Sequence, residues 1–256
     1  MYNLNVEEFF AALRKKDNLL FGTNISQRQV DGLQALLDAG RFESRVHLAH
    51  VLAEVYWETG GGMYPVKETV YRNSKDKNPS DATVIARLDR AWKKGQLVWV
   101  KVPYWREGFF GRGQIQVTHK DNYKKASAIV DIDLVAHPER ALELPVSAEI
   151  AVEGCKAGIF TGKKLSDFDK PDGYDHANAR MIVNGDWKVV GPHIVRYAEK
   201  FESALKAGAW MLLPAGPSVI MPKAENKAAA AAADNSDNWF AAVVKIIAGF
   251  FRKREK

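Results

Sequence analysis

Residues 47–68 read HLAHVLAEVYWETGGGMYPVKE, and this segment decides the fold around two carboxylates. Glu58 falls in the last turn of a predicted helix, and the three glycines at 60–62 end that helix because glycine lowers helix propensity. Glu68 follows on a new segment that begins near Pro65. The two carboxylates can therefore face each other across a cleft, as the acid and base of glycosidic bond cleavage do. The helix is predicted from apolar residues at helical spacing: Leu48, Val51, Leu52, Val55 and Tyr56.

A second informative segment, residues 109–123, reads FFGRGQIQVTHKDNY. Gln114, Gln116 and Thr118 alternate with Ile115 and Val117, which predicts a short strand with one polar face and one apolar face. Such a polar row can bind sugar hydroxyls or a water molecule.

Together the two segments resemble glycoside hydrolase family 19, a chitinase-like family whose fold is also used by bacteriophage endolysins that cut peptidoglycan. The resemblance covers roughly residues 20 to 205. It implies that Glu58, in Glu58-Thr59-Gly60, is the general acid that protonates the leaving oxygen, and that Glu68 is the general base. It also implies inversion at the anomeric carbon, which needs carboxyl groups about 6.5 to 9.5 Å apart to admit water.

Three residues of the second segment match the family's GRGxxQ(L/V)(S/T)xxxNY motif: Gln116, Thr118 and Asn122. The resemblance implies that Thr118 helps to hold the attacking water and that Gln116 and Asn122 bind substrate. The segment 182–185 is similar to the family's Ile-Asn-Gly segment with one residue inserted, which implies a glycan contact at Asn184.

Other readings of the first segment remain open. Glu54 precedes Glu58 by four residues on the same helical face, so it is the rival carboxylate. His47 and His50 lie near both acids, but the segment lacks the HExxH order of zinc hydrolases, so we expect no metal and no cofactor. Cys155 is the single cysteine, which excludes an internal disulfide, and its apolar surroundings predict a buried thiol.

The sequence predicts a mainly α, two-lobed, lysozyme-like and chitinase-like α+β domain with one small β-hairpin around residues 97 to 118. The catalytic domain is expected over residues 1–213, a linker over 214–237 and a cationic amphipathic helix over 238–256. Helices are predicted at residues 5–16, 26–40, 44–58, 80–94, 119–130, 146–161 and 192–208.

The C-terminal segment 238–256 reads NWFAAVVKIIAGFFRKREK. Its apolar residues recur at helical spacing and its last five residues carry four positive charges, so one reading is a helix at an anionic membrane surface. The alternative is a helix that docks on the catalytic domain or on a partner.

Composition and charge limit the choice of partners. The chain has 256 residues, 46% of them hydrophobic, and a formal net charge of +6, as in a folded protein that meets polyanions. No nucleic-acid motif is present, so peptidoglycan is the expected polyanion and a monomer the expected state. The first 17 residues, MYNLNVEEFFAALRKKD, lack a long apolar run. We therefore expect synthesis in a host cytoplasm and action at the cell wall, in the periplasm, after release.

The sequence thus predicts a peptidoglycan-degrading glycosidase, a muramidase-like or lysozyme-like endolysin that cuts glycan β-1,4 bonds for host lysis. A chitinase acting on N-acetylglucosamine polymers is the alternative among enzymes. An inactive glycan-binding module is the alternative from another class, because a cleft can bind sugar without cutting it.

Overall fold

The computed structural model describes residues 2–40, 42, 44–71 and 73–212. This part of the chain is mainly helical, as the sequence predicts. Short 3-10 helices at Tyr104–Glu107, Pro138–Leu142, Leu165–Phe168 and Arg180–Ile182 connect the longer elements. The α-helices of the described chain are α1 (Val6–Leu13), α2 (Gln27–Ala39), α3 (Arg45–Glu58), α4 (Asp81–Lys93), α5 (Lys120–Val130), α6 (Leu144–Ala157), α7 (His176–Ala179) and α8 (Trp187–Ala207).

The β structure consists of short two-stranded antiparallel sheets within the described ranges. Strand β1 (Tyr2–Asn3) pairs with β6 (Met211–Leu212), β2 (Val66–Lys67) with β3 (Arg112–Gly113), and β4 (Asp169–Lys170) with β5 (Gly173–Tyr174). The segment 97–118 contributes β3 and an Arg112–Val117 bridge, and its strand pairs with residues 66–67. The sequence located the β element correctly in part, but it did not identify β2 as the partner strand.

Helix α3 is buried on nearly all sides. The sequence assigned it one apolar face, whereas ten of its residues are buried, including the polar His50 and Glu54. It packs against α8, and α2 packs against α6 on the same large core. The carboxylate at its C-terminal end, Glu58, is therefore fixed by the most densely enclosed helix of the domain.

Two close approaches position the loop that follows α3. The predicted capping box of α2 is present, with Gln29 N–H donating to Ser26 Oγ and Ser26 N–H donating to Gln29 Oε1. Gly32 of α2 lies so close to this loop that an added Cβ would be 2.0 Å from the carbonyl oxygen of Met63. Only glycine allows α2 and the loop to touch in this way.

A second lobe is built on smaller clusters. One contains Val84 and Leu88 of α4 together with Trp105 and Phe110, and it is separate from the large core around α3. Arg112 links the elements of this lobe: its buried guanidinium donates to Asp81 Oδ2 (2.8 Å), to Tyr123 Oη (2.9 Å) and to the Gly108 carbonyl oxygen (2.8 Å).

None of the helices in the described ranges is both long enough and apolar enough to cross a bilayer. The predicted linker and C-terminal helix, residues 214–256, lie outside the described residues.

Candidate active site

A large cleft lies between the lobes and contains most of the side chains that the sequence singled out. Its volume is about 2650 Å³. Five of the six predicted site residues line this cleft: Glu58, Glu68, Gln116, Thr118 and Asn184. The structure therefore brings together two carboxylates and polar groups that come from four separate parts of the chain.

The turn after α3 places Glu58 on the cleft. Thr59 Oγ1 donates to the Val55 carbonyl oxygen (2.7 Å) and accepts from Met63 N–H (2.8 Å), so the chain reverses directly after Glu58. Gly61 has a left-handed φ of 81°, and its carbonyl oxygen accepts from Gln29 Nε2 at 2.8 Å. Hydrogen bonds thus fix the glycine segment that ends α3.

Arg180 joins three carboxylates behind the cleft. Its Nη1 lies 2.6 Å from Glu58 Oε1 and 2.5 Å from Glu54 Oε2, and its Nε lies 2.7 Å from Asp186 Oδ1. The arginine side chain is 1% exposed, Glu54 is fully buried and Glu58 is 14% exposed. The guanidinium therefore fixes the orientation of Glu58 and leaves it in contact with the cleft.

The cluster holds three carboxyl groups and one guanidinium, so it would carry excess negative charge if all three were ionised. Burial, the largest effect, raises the pKa of Glu54 to about 8, and the neighbouring Glu58 raises it further while Arg180 opposes the shift. Glu54 Oε1 has no hydrogen-bond partner among the described residues and lies 3.6 Å from His50 Nε2. Glu54 is thus the group that holds a proton near neutral pH.

This proton makes stability depend on pH in a defined direction. The folded pKa of Glu54 is above its ordinary value of 4.5, so the folded state retains a proton that the unfolded state releases. The contribution is present below pH 4.5 and is lost as the pH rises towards about 8. We expect Glu54→Gln to abolish this loss, since its side chain is neutral at every pH.

The measurement is the free energy of unfolding of wild type and variant at several pH values in this range. The exposed Glu199, on α8, supplies the matched control Glu199→Gln, which should follow the wild-type pH profile. A Glu54→Gln profile parallel to that of the wild type would contradict the assignment of the proton to Glu54.

Glu68 is held on the cleft by two donors. Tyr104 Oη donates to Glu68 Oε1 (2.8 Å) and Gly111 N–H donates to Glu68 Oε2 (2.7 Å). Burial raises the pKa of Glu68, and these hydrogen bonds and Arg112 oppose the rise. The main chains of Glu68 and Gly111 are also joined, by a Glu68 N–H to Gly111 oxygen bond of 2.7 Å that extends the β2–β3 pairing.

Tyr104 is a functional candidate that the sequence assigned to packing. Its ring lies against His119, with centroids 4.2 Å apart, and its hydroxyl donates to Glu68. Burial and the nearby Glu68 carboxylate both raise the pKa of Tyr104 above its usual range. The phenol therefore remains a hydrogen-bond donor to Glu68 throughout the neutral range.

The predicted polar row of the second segment is corrected by the structure. Gln114 is fully buried, and its Nε2 donates to the carbonyl oxygens of Met63 (2.7 Å) and Gly32 (3.3 Å). Gln116 lines the cleft, but its Nε2 donates to the carbonyl oxygens of Val66 and Gly113. Both glutamine amide nitrogens brace the backbone, so Thr118 is the member of the row that keeps a polar group for the cleft.

The two asparagines expected to bind glycan lie in different places. Asn184 is exposed on the cleft, and its Oδ1 accepts from Gly185 N–H at 2.7 Å. Asn122 is not among the cleft-lining residues, and its Oδ1 accepts from Lys125 Nζ at 3.4 Å. One turn of α5 is enough to carry Asn122 away from the cleft that Thr118 lines.

The histidines near the acids are engaged elsewhere. His47 Nε2 lies 2.6 Å from Asp169 Oδ1, and His50 Nδ1 lies 3.3 Å from His176 Nδ1. Burial lowers the pKa of His50 well below its ordinary value, so its imidazole is neutral. Within the described ranges no group of three or more His, Cys, Asp or Glu residues has the arrangement of a metal site.

Sequence reasoning missed Arg180, Asp186 and Tyr104. Arg180 and Asp186 lie in HANARMIVNGDW, residues 176–187, where a basic residue inside an otherwise apolar run signals a buried partner. That signal identifies a buried arginine but not the helix that supplies its carboxylates.

Comparison with known proteins gives similarity to chitinases at low identity. No protein-family model matches the chain, and no curated protein matches it. Chitinase C from Streptomyces griseus HUT6037 is 18% identical, with 80% of this chain and 76% of that chain covered and a TM-score of 0.46. A chitinase C mutant gives 18%, 80%, 94% and 0.45, and a bacterial family 19 chitinase gives 17%, 79%, 94% and 0.40. Similarity at this level carries no conclusion about activity.

Proposed function

We propose that the protein is a glycosidase that hydrolyses the glycan β-1,4 bonds of peptidoglycan by an inverting acid/base mechanism. The observation that carries the proposal is the presence of Glu58 and Glu68 on one cleft, each held by its own set of donors. Two carboxyl groups in different environments are what a glycosidase needs, because one must donate a proton while the other accepts one.

Each neighbouring group has a role in this scheme. Glu58 protonates the leaving oxygen, and Arg180 holds it in position. Glu68 accepts a proton from the attacking water, while Thr118 orients that water and Tyr104 fixes the carboxylate. Neither Arg180 nor Tyr104 needs to touch the reacting atoms; both act through the carboxyl group that they contact.

The environment of Glu68 also supports the reverse assignment. A raised pKa is the property that a proton donor needs at neutral pH, and burial raises the pKa of Glu68. In this second scheme Glu68 protonates the leaving oxygen and Glu58, beside Arg180, accepts the proton of water.

Azide distinguishes the two assignments. Removal of the base carboxylate leaves space in which azide can attack the anomeric carbon without deprotonation, so the product is a glycosyl azide. We expect Glu68→Ala with azide to yield glycosyl azides by mass spectrometry, and Glu58→Ala to yield none. The opposite result would exchange the two roles.

Glu68→Gln should reduce hydrolysis severely, by about 10² to 10⁴ if it removes the base, because the amide cannot accept the proton. Thr118→Ala should reduce it less, since Thr118 only orients the water. Initial rates on soluble wall fragments measure both effects. Early products of retained configuration, detected by NMR, would reject the inverting scheme in either assignment.

Mass spectrometry of muropeptides released from purified walls tests the substrate. Fragments cut at a glycan bond support the proposal, whereas cleavage confined to chitin oligomers would favour the chitinase alternative. Binding of walls without any released reducing end would favour an inactive glycan-binding module.

A further inference from the structure

One wall of the cleft is cationic. Between residues 87 and 102, the side chains that line the cleft include four bases and no acid. We call these four residues the cationic wall: Arg87, Arg90, Lys94 and Lys101. Within the described chain none of them forms an ion pair with a carboxylate, so their charges are available to a ligand.

The nearby acids do not neutralise this wall. Asp89, the acid in the segment, accepts from Trp105 Nε1 and from Arg106 Nε, each at 2.9 Å. Asp81, at the start of α4, is paired with Lys67 and with Arg112. The carboxylates that belong to this lobe are thus used to hold the lobe together.

Internal hydrogen bonds build the wall as a defined surface. Trp92 Nε1 donates to the Val100 carbonyl oxygen (3.0 Å), and Val100 N–H donates to the Leu97 carbonyl oxygen (3.0 Å). Trp99, at 51% exposed, and Val102, at 72% exposed, lie on either side of Lys101 and also line the cleft. The wall therefore presents apolar surface and positive charge together.

We propose that the cationic wall binds the carboxylates of peptide-bearing glycan, and so selects peptidoglycan over neutral chitin. This inference rests on the proposed function, because it concerns the substrate of the same cleft. A neutral glycan offers no charge to these side chains, whereas stem peptides and lactyl groups bring several carboxylates to each repeat. Exposed pairs are individually weak, so selectivity comes from several acting together.

The test is binding of soluble peptidoglycan fragments to the full chain carrying Glu58→Gln, which prevents turnover. The wall variant combines Arg90→Glu, Lys94→Glu and Lys101→Glu. The matched control combines Lys15→Glu, Lys16→Glu and Lys163→Glu, which are exposed residues away from the cleft and give the same change of net charge.

We expect the wall variant to bind the fragments at least about 10-fold more weakly and the control to bind nearly as the parent does. Amidation of the fragment carboxylates should weaken binding to the parent and should reduce the difference between parent and wall variant. Replacing the same three residues by glutamine should give a smaller loss, with unchanged melting temperature.

The proposal is overturned if the wall variant binds as tightly as the parent, if the control loses as much, or if amidated fragments bind equally well. Hydrolysis of the same fragments by the wild-type chain tests the proposed function separately. Cleavage with an unaffected wall variant would reject the wall alone. Absence of cleavage with charge-dependent binding would reject the catalytic proposal alone.

Discussion

Replacement of Glu58 by glutamine is expected to lower hydrolysis of wall fragments by about 10² to 10⁴ while the protein stays folded. The amide retains the size of the carboxyl group, and its oxygen can still accept a hydrogen bond from Arg180, but it cannot supply or take up the proton. Initial rates of muropeptide release measure the loss, and near-UV circular dichroism checks the fold.

Glu54→Gln is the appropriate comparison, because Glu54 lies one turn earlier on α3 and contacts the same arginine. Glu54 is fully buried, so this change should affect the rate far less than Glu58→Gln does. A Glu58→Gln variant that retains more than half of the wild-type rate would remove Glu58 from catalysis. Inactivation by Glu54→Gln alone would make Glu54 the catalytic carboxylate.

Arg180→Met is expected to destabilise the folded protein by about 3 to 5 kcal/mol, because it leaves a group of buried carboxyls without their counter-charge. Methionine fills much of the arginine volume, so loss of charge rather than loss of packing dominates. Urea unfolding measures the change. Arg140→Met is the control, since Arg140 forms an exposed ion pair with Glu143 and its loss should leave the unfolding midpoint unchanged.

A double variant separates charge from packing. Adding Glu54→Gln to Arg180→Met removes one of the uncompensated carboxyls, so it should recover part of the lost stability. If Arg180→Met costs less than about 1 kcal/mol, or if the double variant is no more stable than Arg180→Met, the buried cluster does not hold α3 and α8 together as described.

Local patterns predicted much of the helical framework. The Ser26 and Gln29 capping box and the glycines after Glu58 are short-range signals, and the ends of α2, α3 and α4 lie within about one residue of the predicted ones. Helix α8 was predicted to begin at residue 192, yet it begins at Trp187 and contains Pro192. Tertiary packing there overrides the rule that proline opens a helix.

The site was less accessible from sequence, because its contacts are long-range. Glu54 and Arg180 are 126 residues apart, and Glu68 meets Tyr104 across 36 residues. Alternation in the second segment predicted a solvent-facing polar row, but the same alternation results when Gln114 turns inward to bond the loop after α3. Periodicity distinguishes two faces of a strand without identifying which face meets solvent.

The salt-bridge cluster around Arg180 has a consequence for biosynthesis. Glu58 leaves the ribosome long before Arg180 and Asp186, and strand β1 waits for β6. A nascent chain therefore holds its first carboxylate in place only after more than 120 further residues have been translated. Assembly of the cleft and completion of the core are one late event, so an unfinished chain has no oriented acid with which to attack a glycan.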